Sequence, residues 1–476
     1  MNRIEKFTFY SFLSLIVWLP IPLGSNRMWA WSIAEMWIAS QCLLLVIAYR
    51  GKLPFGMVNR YRILIGGLVL FQCWVFIQTL PLPWGILEAV SGKSAEIYKL
   101  VGVSEGFISL DSRMTRVSLF KGLAYTLFVL NATFLINSSK RLKLVALAIV
   151  ISATMQGFYG AMIVLLKMPE SPVFGYAQSG VATGSFVYKN HLANYLMLSL
   201  CVGLGLIVSQ LHVSESGSWF TRIRRMIEGL LSGKMFIRLC LVIMVIALVM
   251  TRSRMGNTAF FAATTIGGLI ALFFYKDKPR ALTVLIGSVI AIDTIVVGAL
   301  FGLEKVKQRL AETSLAGESR DQVVIWSLDI IRDFPFTGTG MASFYTIFPM
   351  YSRADIGFYD HAHNDYVQFM VEAGIPATLL LGSIVLYSLW RTFNTIRSRH
   401  SKTMKGVALG CMMAIIGMLI HISVDFNLQP MANAATFILV LFLANATAVL
   451  PAVGSLPVKV TDSSKYTNKV KVSPDV

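Results

Sequence analysis

The chain has 476 residues, 55% of them hydrophobic and only 14% charged, with a formal net charge of +18. A soluble domain of this length would hold roughly a quarter charged residues. The composition therefore excludes a soluble globular protein and predicts an all-α polytopic membrane protein.

Apolar runs long enough to span a bilayer lie at 7–23, 28–49, 61–80, 117–136, 142–166, 191–211, 236–251, 255–275, 281–303, 374–393, 406–423 and 431–450. A span needs about 20 apolar residues, which the first and seventh runs barely reach. The count predicts about 12 transmembrane helices with both chain ends on one side. The first run lacks a small-residue cleavage site and is followed at once by another span, so it reads as a helix and not a removable leader. The five cysteines (Cys42, Cys73, Cys201, Cys240, Cys411) all fall in apolar runs, without metal-ligand or disulfide spacing, and read as small buried apolar side chains.

Orientation follows from the basic residues. With the N-terminus in the cytoplasm, the cytoplasmic segments hold 26 of the 42 Lys and Arg against six acids, and the outer segments balance 16 bases against 16 acids. The basic excess is thus a topology signal. It is not a nucleic-acid footprint, because no loop shows a basic face with interleaved aromatics. Residues 1–450 read as one membrane-embedded domain with two long outer loops, 81–116 and 304–373. Within the first, 85–101 reads as an amphipathic segment lying on the interface. Residues 451–476 read as a disordered cytoplasmic tail.

The unusual polar residues collect on the outer face in this topology. Asn26-Arg27 separates the first two spans. Lys189-Asn190-His191 opens the sixth after a Gly-rich stretch, and Thr251-Arg252-Ser253-Arg254 joins the seventh and eighth with almost no loop. His421, Asp425 and Asn427 close the eleventh. The loop 304–373 adds Arg309, Arg320, Arg332, the turn Gly338-Thr339-Gly340, and the cluster Asp360-His361-Ala362-His363-Asn364-Asp365. Charged groups at membrane depth need a partner or a job. Arg252 and Arg254 either snorkel to lipid phosphates or clamp an anionic head group, which the planar guanidinium fork suits. Arg27, Lys189 and Arg320 are weaker candidates for the same site.

His361 and His363 with Asp360 and Asp365 invite a metal reading, but no third ligand stands at a recognised spacing. A general base is the better reading, since a neutral imidazole beside a carboxylate takes a proton from a hydroxyl near pH 7. Were 361–373 helical, His361 and Asp365 would share a face. His421, on an apolar span, reads as an interhelical hydrogen-bonding residue. No Walker loop, dinucleotide fingerprint or Ser-His-Asp order appears.

Four blocks of the sequence resemble the O-antigen ligase and O-antigen polymerase superfamily of bacterial membrane glycosyltransferases. They are Pro22-Leu23-Gly24-Ser25-Asn26-Arg27-Met28-Trp29-Ala30-Trp31, then Gly184-Ser185-Phe186-Val187-Tyr188-Lys189-Asn190-His191-Leu192-Ala193, then Thr251-Arg252-Ser253-Arg254-Met255-Gly256, and last His363-Asn364, nine residues, Gly374, three residues and Thr378. Met255 stands where the family has glycine. His421 to Asn433 looks like a fifth block. The resemblance implies a GT-C-like helical enzyme of the bacterial inner membrane with its site facing the periplasm. Such an enzyme moves a glycan from undecaprenyl diphosphate to an acceptor sugar hydroxyl, without metal, nucleotide or other cofactor. On that pattern Arg254 and Arg320, supported by Arg252 and Lys189, hold the diphosphate, and His363 is the base. Asn364 and Asp365 orient the imidazole or hold sugar hydroxyls, and Asn190, His191, Arg27 and His361 belong to the substrate site. The blocks leave open a ligase, with lipid A–core as acceptor, or a polymerase, with a second lipid-linked glycan. A transporter would place its polar groups near the midplane, whereas here they gather on one face.

Overall fold

The computed structural model describes residues 3–178, 180–211, 233–288, 291 and 318–451. Its principal helices are α1 (Arg3–Trp18), α2 (Met28–Ala48), α3 (Arg62–Gln78), α4 (Ser112–Leu135), α5 (Ser139–Leu165), α6 (Lys189–Ser209), α7 (Gly233–Met250), α8 (Arg254–Phe274), α9 (Glu318–Asp333), α10 (Asp365–Ala373), α11 (Ile375–Ser398), α12 (Lys402–His421) and α13 (Met431–Val449). Eight of these are long and apolar enough to cross a membrane, and the Arg62–Gln78 and Met235–Met250 segments are shorter apolar helices. The protein is a multi-pass, all-α membrane protein. The ninth expected run is helical over 280–288 and otherwise lies almost wholly outside the described residues, as do Arg309 and the tail.

Several of the helices begin where the sequence supplies a side-chain acceptor for a free N–H group. Asp111 accepts from the Met114 N–H at 3.0 Å, Ser253 from Gly256 at 3.2 Å, and Asn364 from Val367 at 3.2 Å. Proline and glycine set the breaks between α10 and α11, where Gly374 has φ +82° and Pro376 sits in the first turn of α11.

The centre of the bundle is the α6–α12 pair, with α13 beside it. In the hydrophobic windows of α6, α12 and α13, 89%, 83% and 83% of residues are buried, against 28% in α2 and 22% in α11, so the latter two lie on the rim. Lipid offers no hydrophobic drive for helices to pair, so close packing must supply it. The sequence Gly406-Val407-Ala408-Leu409-Gly410 provides the small-xxx-small spacing. A Cβ at Gly410 would stand 2.7 Å from the Cys201 carbonyl oxygen, and one at Gly205 would stand 2.6 Å from that of Gly406. Backbone thus meets backbone across α6 and α12. His421 and Asn194 join the same pair, Nδ2 to Nδ1 at 3.1 Å, as an interhelical bond of the expected kind.

The two long segments expected outside the bundle are both folded. The first holds two short helices, Trp84–Val90 and Gly92–Val101, and an antiparallel pairing of Pro81–Leu82 with Gly106–Phe107. The second, over its described part 318–373, builds its own small core from Val323, Trp326, Ile330, Phe334, Phe344, Phe348, Ala362 and Val371. It is fastened to α3. Gln78 Nε2 donates to the Thr337 and Glu372 carbonyls at 2.8 and 3.0 Å, its Oε1 accepts from Met341 N–H at 3.2 Å, and Trp74 Nε1 donates to Ala373 O at 2.9 Å. The turn at Gly338 presses directly on 372–374: a Cβ on Gly338 (φ +63°) would lie 2.4 Å from Glu372 O, so only glycine fits.

Lys121, which the charge count groups with the outer segments, lies inside α4. Its ammonium donates to Gln429 O at 2.8 Å and stands 4.9 Å from the Trp31 ring centroid.

Candidate active site

The residues singled out for chemistry converge at one end of the bundle. A cavity of about 540 Å3 is lined by Tyr188, Lys189, Asn190, Arg252, Ser253, Arg254, Met255, Thr258, Arg320, Asp321, Val324, His363, Ser423, Val424 and Asp425. Of its basic side chains, Lys189 opens α6, Arg254 opens α8, Arg252 stands in the turn before α8, and Arg320 lies in α9. Unpaired N–H groups and the positive dipole end at a helix start favour anions, so the backbone and the side chains act with the same sign.

The turn carrying Arg252 and Arg254 is held by its own hydroxyls. Thr251 Oγ1 donates to Leu248 O at 2.6 Å and accepts from Ser253 N–H at 3.1 Å, and Asn257 Nδ2 donates to Ser253 O at 2.7 Å. Arg252 itself has φ +51°, a region that non-glycine residues seldom adopt. Both arginines are exposed into the cavity. Arg320 Nη2 donates to the Tyr188 hydroxyl at 3.3 Å, and Asn190 Nδ2 donates to the same hydroxyl at 2.8 Å and to Asp425 Oδ2.

His363 has φ +50° and follows an irregular stretch. Its Nδ1 is 3.9 Å from Asp425 Oδ1, and the two side chains are only 14% and 2% exposed. Burial first, then the charge of Arg320, pushes the His363 imidazole down to about 4, so it is neutral at pH 7. Burial pushes the Asp425 carboxyl up to about 6, against hydrogen bonds from Phe426 N–H and Asn190 and the charge of Arg320. Among described residues no group of three His, Cys, Asp or Glu is placed to hold a metal ion.

Phe426 organises the rings behind the cavity. His361 stacks on it at 4.5 Å between centroids, His363 and His191 meet it edge-on at 4.7 and 4.9 Å, and Tyr188 stacks at 5.7 Å. His191 and His361 are therefore one layer back and do not line the cavity. Gln368 Nε2 donates to His361 Nδ1 at 3.0 Å and to Glu372 Oε1 at 3.1 Å.

Contrary to expectation, α10 does not run back to His361, because Asn364 is its cap and residues 361–364 are irregular, so His361 and Asp365 share no helical face. Asn364 and Asp365 also do not face the imidazole. The Asn364 side-chain oxygen Oδ1 accepts from Val367 N–H. Asp365 is fully buried, where it accepts from Leu428 N–H at 2.9 Å and Gln429 Nε2 at 3.3 Å. Burial pushes its carboxyl up to about 8. Its work is to tie the 422–429 turn to α10, which brings Asp425 beside His363. Arg27 is exposed at the start of α2 and is not among the residues lining the cavity. Beside it Gly24 packs on Phe186, and Ser185 Oγ bonds Gln156 Oε1 and Pro20 O. Asp425, Tyr188 and Phe426 were not among the expected site residues. The signal for Asp425 was an acid closing an apolar span two residues from Asn427.

Residues 239–382 match the profile of a family described as O-antigen ligase. Over that stretch, less than half of the chain, the sequence is similar to this family. The O-antigen ligase match contains Arg252, Arg254, Arg320 and His363; Lys189, Asn190 and Asp425 come from outside it. No curated protein matches the chain.

Proposed function

We propose that the protein is an O-antigen ligase-type glycosyltransferase of the bacterial inner membrane. It takes a glycan from undecaprenyl diphosphate and joins it to a sugar hydroxyl of lipid A–core at the periplasmic face. The observation that carries this reading is the single cavity in which Lys189, Arg252, Arg254 and Arg320 surround a neutral His363 backed by Asp425. The family match supports the class of reaction.

In the proposed step the acceptor hydroxyl attacks the anomeric carbon while His363 takes its proton. The bond from that carbon to the diphosphate oxygen breaks, and the lipid diphosphate leaves with the electron pair. Fixed cations lower the barrier most where negative charge grows, and Arg254 and Arg320 with Lys189 and Arg252 are set for that leaving group. Asp425 stabilises the imidazolium as it forms. Asn190, which bonds Asp425 and Tyr188, fixes the carboxylate. No step requires a cofactor. The alternative, a polymerase acting on the same donor with a second lipid-linked glycan as acceptor, uses the same cavity and the same base.

The test is transfer in vitro from a lipid diphosphate glycan. His363→Ala is expected to lose about 10²–10⁴ in rate; activity within about twofold of wild type would remove His363 as the base. Gene deletion separates the two enzymes. A bare lipid core with lipid-linked polymer accumulating means ligase, and single repeats on the core mean polymerase.

A further inference from the structure

Tyr188 is half-buried in the wall of the polar cavity, between Arg320 and Asn190, which line the same cavity. The hydrogen bonds of its hydroxyl can be counted. A guanidinium only donates, so the contact with Arg320 Nη2 at 3.3 Å uses one lone pair of the phenol oxygen. An ionised carboxylate only accepts, so the Asn190 atom bonded to Asp425 Oδ2 is its amide nitrogen. That same Nδ2 lies 2.8 Å from the Tyr188 oxygen and donates to it, which uses the second lone pair. The phenol still has its own proton, and no group among the described residues accepts it.

The ring is not free to turn that proton away. One face stacks on Phe426, with centroids 5.7 Å apart and planes 12° from parallel, and His191 meets the ring edge-on at 5.0 Å. A donor fixed in this way pays no reorganisation when a ligand arrives. The hydroxyl is bonded to Arg320, so an anion held by that guanidinium comes within its reach. A phosphoryl oxygen without a proton accepts and does not donate, which is what an O–H with both lone pairs occupied requires.

We infer that Tyr188 binds the donor substrate, its hydroxyl donating to an oxygen of the diphosphate that Arg320 holds. The inference rests on the transfer reading above. The proton stays on Tyr188 throughout, and the bond strengthens as the leaving diphosphate gains charge.

The test is binding in lipid nanodiscs, with farnesyl diphosphate as the probe and farnesol as the control for the chain. A hydrogen bond to a charged group is worth about tenfold or more in affinity. Tyr188→Phe should raise the Kd for farnesyl diphosphate about tenfold and change that for farnesol less than twofold. An unchanged Kd for the diphosphate, or an equal loss for farnesol, overturns the inference. So does a loss seen only with a glycan-bearing lipid diphosphate, which would assign the hydroxyl to the sugar. The same substitution is made in an Arg320→Ala background. A direct bond predicts a further loss of about tenfold there. If Tyr188 only props the guanidinium, removing its hydroxyl adds nothing once Arg320 is gone, and a further loss below twofold overturns the inference. Wild type that binds the diphosphate no tighter than farnesol overturns it too. Binding is read without turnover, so a wild type that shows this Kd pattern and transfers no glycan would sink the transfer reading and still support the bond.

Discussion

Replacing Asp425 with Asn tests the proposed base most sharply, because it removes one charge and keeps the shape. At 3.9 Å, an imidazolium at His363 and a carboxylate at Asp425 attract each other by about 4 kcal/mol at an effective dielectric of about 20. His363 is neutral in the resting site and becomes charged only as the acceptor proton moves, so the attraction acts on the transition state. At 1.36 kcal/mol per tenfold, the full interaction is worth about 10³, and relaxation of the pair brings the expected loss in kcat to about 10²–10³. Asp425 helps only when ionised. Its carboxyl sits at about 6, so wild-type activity should be flat above that pH and fall as the pH drops through it. His363, at about 4, protonates further down. Asp425→Asn should be slow at pH 7.5 and should lack the limb near 6. The assay is initial-rate transfer in nanodiscs from pH 4.5 to 8.5, with melting followed in parallel because Asp425 also holds Asn190 and the Phe426 N–H. A variant that melts as wild type and keeps more than a third of the activity at pH 7.5 would refute the argument. So would one that retains the same acid limb.

Three further outcomes are expected. Arg254→Lys keeps the charge and loses the planar fork, so turnover should fall about tenfold or more in the transfer assay, and undiminished turnover would argue against a bidentate hold on the diphosphate. Asp365 has its folded value raised from 3.8 to about 8, which means that its contribution to stability is greatest in acid and is lost as pH rises toward 8. Asp365→Asn escapes that loss, so its melting temperature should gain on wild type between pH 5 and pH 8, and parallel melting curves would contradict a buried protonated carboxyl. Gly410→Val would push a side chain against the Cys201 carbonyl, where backbone cannot yield, and should cost at least about 1–3 kcal/mol, seen as lower melting in detergent. An unshifted transition would mean that α6 and α12 do not touch there.

The apolar runs made the helices legible, because in a bilayer every backbone polar group must be satisfied within its own segment. The gathering of Lys189, Arg252, Arg254, Arg320 and His363 was legible for a related reason: charge is expensive at membrane depth, so where it persists it marks a site. What could not be read was which way each side chain turns. Asn364 and Asp365 are as polar as their neighbours in the cluster, yet one is consumed in capping and the other in tying down the 422–429 turn. Asp425 sits 62 positions from His363, and only the folded turn, held by Asp365, Asn190 and Phe426, brings it there. Phe426 looked like any apolar residue at the end of a span, and its contact with three histidines and a tyrosine depends on the turn's shape.

Arg252 and His363 share a left-handed backbone, with φ +51° and +50°. Glycine adopts that conformation at no steric cost, and larger residues carry a penalty of order 1–3 kcal/mol. At both positions the fold would therefore gain from losing the side chain that the proposed chemistry needs. A screen for heat-resistant variants that ignores turnover should collect glycine at 252 and 363 and return stable, inactive protein. If the proposed roles hold, these two positions give up stability for function.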